Sequence, residues 1–205
     1  MKRILALALI LAVLIGLTSC AIPKSSKTLI REAAAEHGEC TVVSIEKADG
    51  GYSVVLHDEL QDFDYTVKSY KAQFEADGSK FGSYASTKDT FVDCLMDKVM
   101  SEVEGELDKI CKETGTRYLN DRSKSIYLLP VIVAEDEASG KKAAEAFAKV
   151  FSEHNLKGRM DGWPLVVYWD SDKIKSGEHR PTYWKTMGTV KLPSTEYVSK
   201  KEKQG

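Results

Sequence analysis

Four places in the chain hold residue types that could do chemistry. His37-Gly38-Glu39-Cys40 sets an imidazole three residues before a thiol. A cysteine nucleophile needs such a base in contact with it and a third group to orient the base. No nucleophile signature surrounds these residues, and a helix ending at Gly38 followed by a strand accounts for the segment. Asp58, Glu59, Asp62 and Asp64 crowd together, and Asp170-Ser171-Asp172 repeats the theme on a smaller scale. Dense carboxylates suit calcium, but the glycine-bearing loop of an EF-hand is absent and solvated turns explain both runs. Ser139-Gly140-Lys141-Lys142 follows a strand and opens a helix as a phosphate loop does. Glu135 stands where that loop needs its first glycine, Lys142 where it needs a hydroxyl, and the acids before the helix repel phosphate. The fourth place is aromatic. Trp163, Trp169, Tyr183 and Trp184 include every tryptophan of the chain and form the candidate ligand-binding set, a platform for a sugar ring or a partner protein.

What is missing also narrows the reading. His37, His57, His154 and His179 lack zinc spacing. No G-x-S-x-G, H-E-x-x-H or C-x-x-C occurs. The expectation is a chain with no catalytic residues, no metal and no cofactor, acting by binding rather than as an enzyme. Composition agrees with an ordinary folded domain: 42% apolar and 29% charged residues exclude a disordered tail or a polytopic membrane protein. The 29 basic against 31 acidic groups show no basic excess, so nucleic acid is not the expected partner.

The N-terminus carries an address. Met1-Lys2-Arg3 precedes an apolar run from Ile4 to Leu17, broken only by Gly16. A membrane span needs about 20 residues, so this basic start and short apolar run read as a signal peptide. The run ends in Leu17-Thr18-Ser19-Cys20, which resembles the lipobox of bacterial lipoproteins. The resemblance implies removal of residues 1–19 and a diacylglyceryl group on the Cys20 sulfur. Two acyl chains anchor a protein stably, where one does not. Residues 20–26 then read as a lipidated tether, with the chain held on the outer side of a cell membrane. Lipid on Cys20 leaves Cys40, Cys94 and Cys111. Cys94 and Cys111 fall on one helix, about 25 Å apart at 1.5 Å per residue, so a disulfide is open only to Cys40 with one of them.

Around these features the sequence spells an α+β order, αβββα then βαββ: antiparallel sheet or sheets with helices packed on one side. A helix capped by Ser26 or Thr28 runs to Gly38. Two β-rich runs flank Asp49-Gly50-Gly51 as a hairpin. Phe63 to Tyr70 is a third strand, whose apolar phase shifts near Ser69 and suggests a bulge there. Ser86-Thr87-Lys88-Asp89 opens a long helix with the stripe Val92, Met96, Val99, Val103, Leu107 and Ile110, ending at Gly115. Ile126–Val133 reads as a strand interrupted by Pro130, which points to an edge or a bulge. A helix capped by Asp136 runs to His154, and strands at Trp163–Trp169 and Tyr183–Leu192 follow. Residues 27–198 form one domain, with a candidate seam near 118–124, and 199–205 form a frayed tail.

Asp64 to Tyr70, Asp77-Gly78-Ser79-Lys80-Phe81-Gly82-Ser83 with the helix after it, Asn155-Leu156-Lys157, and Val167-Tyr168 together resemble small lipoproteins of Firmicutes-type bacteria. Some similar α+β proteins look like immunity partners of secreted toxins. The resemblance implies fold order and carries no functional residue over. The leading expectation is a membrane-anchored extracytoplasmic binding module with a protein or envelope-polymer partner. The alternatives are an immunity protein sequestering a toxin and an envelope-acting hydrolase.

Overall fold

Two Asp-Gly dipeptides turn the chain back on itself in its first half. Asp49-Gly50 and Asp77-Gly78 both hold left-handed backbone, with φ of 51° and 75° in the first and 50° and 75° in the second. That geometry matches the right-handed twist of the strands it joins. The computed structural model describes residues 22–120, 127–176, 184–194 and 196–200. The leader 1–19, Cys20, part of the tether and seam regions, Tyr183, His179 and residues 201–205 lie outside the described residues.

The chain divides into two units, one ending at Leu95 and the other starting at Met96. That division lies upstream of the candidate seam near 118–124, of which residues 121–124 are outside the described residues. It falls inside a helix, which sequence periodicity reads as one uninterrupted element.

The first unit runs α1 (Ser26–His37), β1 (Cys40–Ala48), β2 (Gly51–Asp58), β3 (Phe63–Ala76), β4 (Ser79–Asp89) and the first turn of α2 (Phe91–Thr114). The strands form an antiparallel meander in the order β1-β2-β3-β4. α1 lies on β2 and β3 and buries Leu29 and Ala33. Beneath it sit Val54, Leu56, Tyr65 and Val67, paired across strands as Val54 with Val67 and Leu56 with Tyr65. The α1 cap is Ser25, whose Oγ accepts from the Thr28 amide at 3.3 Å, one residue before the expected cap. The tether also docks sooner than expected. The Lys24 amide donates to Ser69 Oγ at 2.9 Å, and Pro23 packs where a Cβ on Gly51 would sit, 2.9 Å away.

β4 was not expected. Ser79–Asp89 is polar and lacks clean alternation, and its last residues mimic a helix cap. The helix instead starts after Asp89, whose Oδ1 accepts from the Phe91 amide at 2.7 Å. No bulge lies at Ser69 against β2. β3 continues through it, and the register shifts against β4 at Gln73/Phe74. The apolar phase change arises because a buried serine occupies the inward position: Ser69 is fully buried and donates to the Ser86 carbonyl at 3.2 Å.

The second unit holds the rest of α2, β5 (Arg117–Leu119), β6 (Val131–Ala134), α3 (Glu137–Glu153), β7 (Pro164–Trp169), α4 (Asp172–Lys175), β8 (Thr186–Lys191) and β9 (Val198–Ser199). Its sheet order follows the sequence, β5-β6-β7-β8-β9. All pairs are antiparallel except β6 with β7, which are parallel because α3 crosses between them. β6 begins after Pro130, so the proline interrupts no ladder and β6 lies centrally rather than at an edge. β6 and β7 are buried on both faces, which explains their unbroken apolar runs. On one face α3 packs through Ala143, Phe147 and Phe151. Gly140 is the point of closest approach: an added Cβ would meet Met187 Sδ at 2.6 Å and Val167 Cγ1 at 2.9 Å. The other face carries Val131, Val133, Val166, Tyr168, Ile174 and Trp184. The stripe expected on α2 is buried through Met96, Val99, Val103 and Leu107, and Cys111 joins it.

Candidate functional site

The expected aromatic platform separates into two environments. Strand alternation puts Trp169 on the face of Leu165 and Val167, toward α3, while Trp163 is half-buried just before β7. Trp184 lies on the opposite face, buried, with its ring edge-on to Tyr168 at 5.2 Å. Tyr183 is outside the described residues. The rings therefore serve two sides of one core, because alternation along β7 decides their direction and closeness in sequence does not.

The acidic runs are also built into the fold. Asp170 pairs with Arg117 at 3.0 Å, and Ser171 caps α4. Asp58 is buried, and its Oδ2 accepts from the Gln61 amide at 2.8 Å to close the β2–β3 turn. Asp64 holds His57 Nδ1 at 2.9 Å, and Asp62 approaches Nε2 at 3.6 Å. That hydrogen bond to Asp64 raises the His57 pKa above its ordinary value.

The fold assembles a different cluster at the end of the first sheet. β1 starts at Cys40 opposite Asp58, and β2 pairs Asp58 with Phe63. Tyr65 and Asp89 face the same side from the next rows, since Val67 pairs with Asp89. The last turn of α1 brings Glu36 and His37 over them. His37 Nε2 meets Asp89 Oδ2 at 2.7 Å. Its ring stacks on Phe91, with centroids 3.9 Å apart and planes 2° from parallel, and meets the Tyr65 ring edge-on at 5.7 Å. One donor atom each from Glu36, His37 and Asp89 lies within 4.8 Å of the others. Among the described residues these three form the group that could hold a metal ion, a combination that the sequence did not suggest. Glu36 and His37 are adjacent, but Asp89 arrives only through the unexpected strand β4.

At the centre of this end, Tyr65 is only 2% exposed and its hydroxyl makes no hydrogen bond of good geometry. Burial first, then the neighbouring Cys40 thiol and the Asp89 and Asp58 carboxylates, push its pKa far up. Cys40, Cys94 and Cys111 are free thiols. The nucleophile reading of His37 and Cys40 gains an orienting carboxylate in Asp89, but His37 directs Nε2 to that carboxylate and not to the thiol.

No family model, curated protein or solved structure matches the chain. Among the described residues no helix is long and apolar enough to cross a membrane.

A second surface stands out on β1. It is an edge strand of nine residues. Its bulge between Val42 and Ser44 inserts Val43 and lets Val42 and Ile45 face the same side, opposite Leu56 and Val54. Val42, Val43 and Ile45 are 45%, 55% and 48% exposed. At the far end of β1 from Cys40 an open depression of about 370 Å³ is lined by Lys47, Asp49 and Tyr52.

Proposed function

We propose that this chain is a lipid-anchored, extracytoplasmic interaction module and that the β1 edge is its docking strand. The observation carrying this reading is the uncovered apolar edge at Val42, Val43 and Ile45. Edge strands present unpaired amides and carbonyls, and proteins usually guard them with charge, proline or brevity. β1 is long and lacks proline; it carries a bulge at Val43 and the charges Glu46 and Lys47, yet it exposes three branched apolar side chains between its start and those charges. Such an edge accepts an extended segment of another protein: its backbone hydrogen bonds supply affinity and alternate side chains supply specificity. Support for the anchor comes from the leader and Leu17-Thr18-Ser19-Cys20.

The test is crosslinking of the full chain in its native membrane, followed by mass spectrometry, for wild type and for Val43→Lys with Ile45→Lys. The expected result is a stoichiometric protein partner that the double variant loses while its fold persists. A partner retained by the variant removes β1 from the interface. A complex that dissociates steeply with salt points instead to sequestration of a basic toxin. For the anchor, Cys20→Ala is expected to leave protein without acyl mass at its N-terminus, and a lipid-free, fully processed wild type overturns it.

A further inference from the structure

We infer that Glu36, His37 and Asp89 form a binding site for a divalent first-row transition ion, zinc in the first instance, held by one imidazole nitrogen and two carboxylate oxygens. The three donor atoms already lie within 4.8 Å of one another. Donors bound to one ion at about 2.0–2.2 Å stand roughly 3–3.5 Å apart, so small side-chain movements close the set. Ligation through His37 Nε2 frees that nitrogen of the proton shared with Asp89 Oδ2, which passes to Nδ1 of the same ring or, from an imidazolium, to solvent.

The surroundings favour a cation. Among the described residues no lysine or arginine pairs with Glu36 or Asp89. His37 is the last residue of α1, and the carbonyls of a helix C-terminus carry partial negative charge. The ring is fixed in place by the Phe91 stack and the Tyr65 edge, so little order is lost when it ligates. Asp89 is oriented through its other oxygen by the Phe91 amide. A ligating group whose second polar atom is hydrogen-bonded is the usual outer-shell arrangement of metal sites.

An independent observation points to the same place. The Tyr65 hydroxyl is buried at this end of the sheet with no hydrogen bond of good geometry; its polar neighbours are the Cys40 thiol, then the Asp89 and Asp58 carboxylates. Buried hydroxyls are normally satisfied. A hydrated ion brings oxygen atoms of the kind this hydroxyl lacks. The donor chemistry selects the ion: calcium and magnesium take oxygen ligands, whereas imidazole with carboxylates suits zinc and its neighbours. Three protein ligands leave coordination positions open to water.

The experiment titrates cobalt(II), as a spectroscopic stand-in for zinc, into the full chain in detergent after chelator treatment. One ion per chain is expected, with visible d–d absorption, no sulfur-to-metal charge-transfer band, and displacement by zinc. Glu36→Gln, at an exposed position, is expected to keep the urea midpoint and weaken binding at least ~10-fold. Asp89→Asn is expected to weaken it likewise, and Cys40→Ser to leave it within about twofold. Absence of stoichiometric binding overturns the inference, as does unchanged affinity in both carboxylate variants. A charge-transfer band that vanishes in Cys40→Ser also overturns it, by making the thiol a ligand.

Discussion

His37 and Asp89 are 52 residues apart in sequence and 2.7 Å apart in space. The carboxylate joins three elements: it ends β4, receives His37 from the end of α1 through Oδ2, and receives the first amide of α2 through Oδ1. One side chain thus closes the end of the first sheet.

Asp89→Ala removes both contacts. A helix-capping acceptor contributes about 1 kcal/mol, and this side chain is partly exposed, so a loss of about 1–2 kcal/mol is expected in urea unfolding. Asp89→Asn keeps an oxygen for the Phe91 amide and should lose less. Equal losses in the two variants would show that the capping bond contributes nothing.

Two helical glycines should respond with opposite sign to the same substitution. Gly105 lies in α2 with open space around its missing Cβ, so Gly105→Ala is expected to stabilise by about 0.5–1 kcal/mol. Gly140 in α3 has Met187, Val167 and Ala134 within 3.2 Å of that position. Overpacking there should outweigh the helix preference, and Gly140→Ala is expected to destabilise by about 1–3 kcal/mol. Thermal unfolding of both variants checks the pair.

Two exposed groups set the pH response. The bond from Asp64 raises the His57 pKa above 6.5, so its contribution is full below 6.5 and disappears as pH rises through the folded value. Asp136 is the reverse case. Hydrogen bonds from the Ser139 hydroxyl and amide lower its pKa below 3.8, so its contribution is present above 3.8 and is lost as pH falls through the folded value. NMR titration of the His57 ring should give a midpoint above 6.5 that drops toward 6.5 in Asp64→Asn. A midpoint unchanged by that substitution would rule out Asp64 as the cause.

Tyr197 packs over Gly188, and its hydroxyl is buried without a hydrogen-bond partner. Burial pushes its pKa up to about 12. Because that oxygen gains nothing where it sits, Tyr197→Phe should be neutral or stabilise by up to ~1 kcal/mol. A loss above about 1 kcal/mol in denaturant titration would reveal a partner for the oxygen.

The fold class was legible in the sequence because its main elements carry strong signals. Asp49-Gly50 turned as expected, Asp136 capped α3, and the α2 stripe lies buried where its spacing put it. β4 was hidden because its polar residues imitate a loop and then a helix cap. The Asp77-Gly78 turn, of the same type as Asp49-Gly50, was the signal that could have revealed it. The parallel β6–β7 pair departs from the antiparallel pairing expected of the sheets: the strand-helix-strand order was legible, but the crossover it forces was not drawn from it. The cluster at His37 was illegible for a physical reason: its ligand set spans the whole meander, and only the register of Val67 with Asp89 brings the second carboxylate home. Of the aromatic set, Trp169 and Trp184 lie on opposite faces of the second sheet, because alternation along a strand and not closeness in sequence decides direction.

The division at Leu95–Met96 has an optical consequence. Every tryptophan of the chain lies on the C-terminal side of it, at positions 163, 169 and 184. Selectively excited indole fluorescence therefore originates in the second unit alone, whereas tyrosines occur in both units, Tyr65 in the first and Tyr168 in the second. A melting curve followed by indole emission, set beside one followed by backbone circular dichroism over the whole chain, separates one cooperative transition from two.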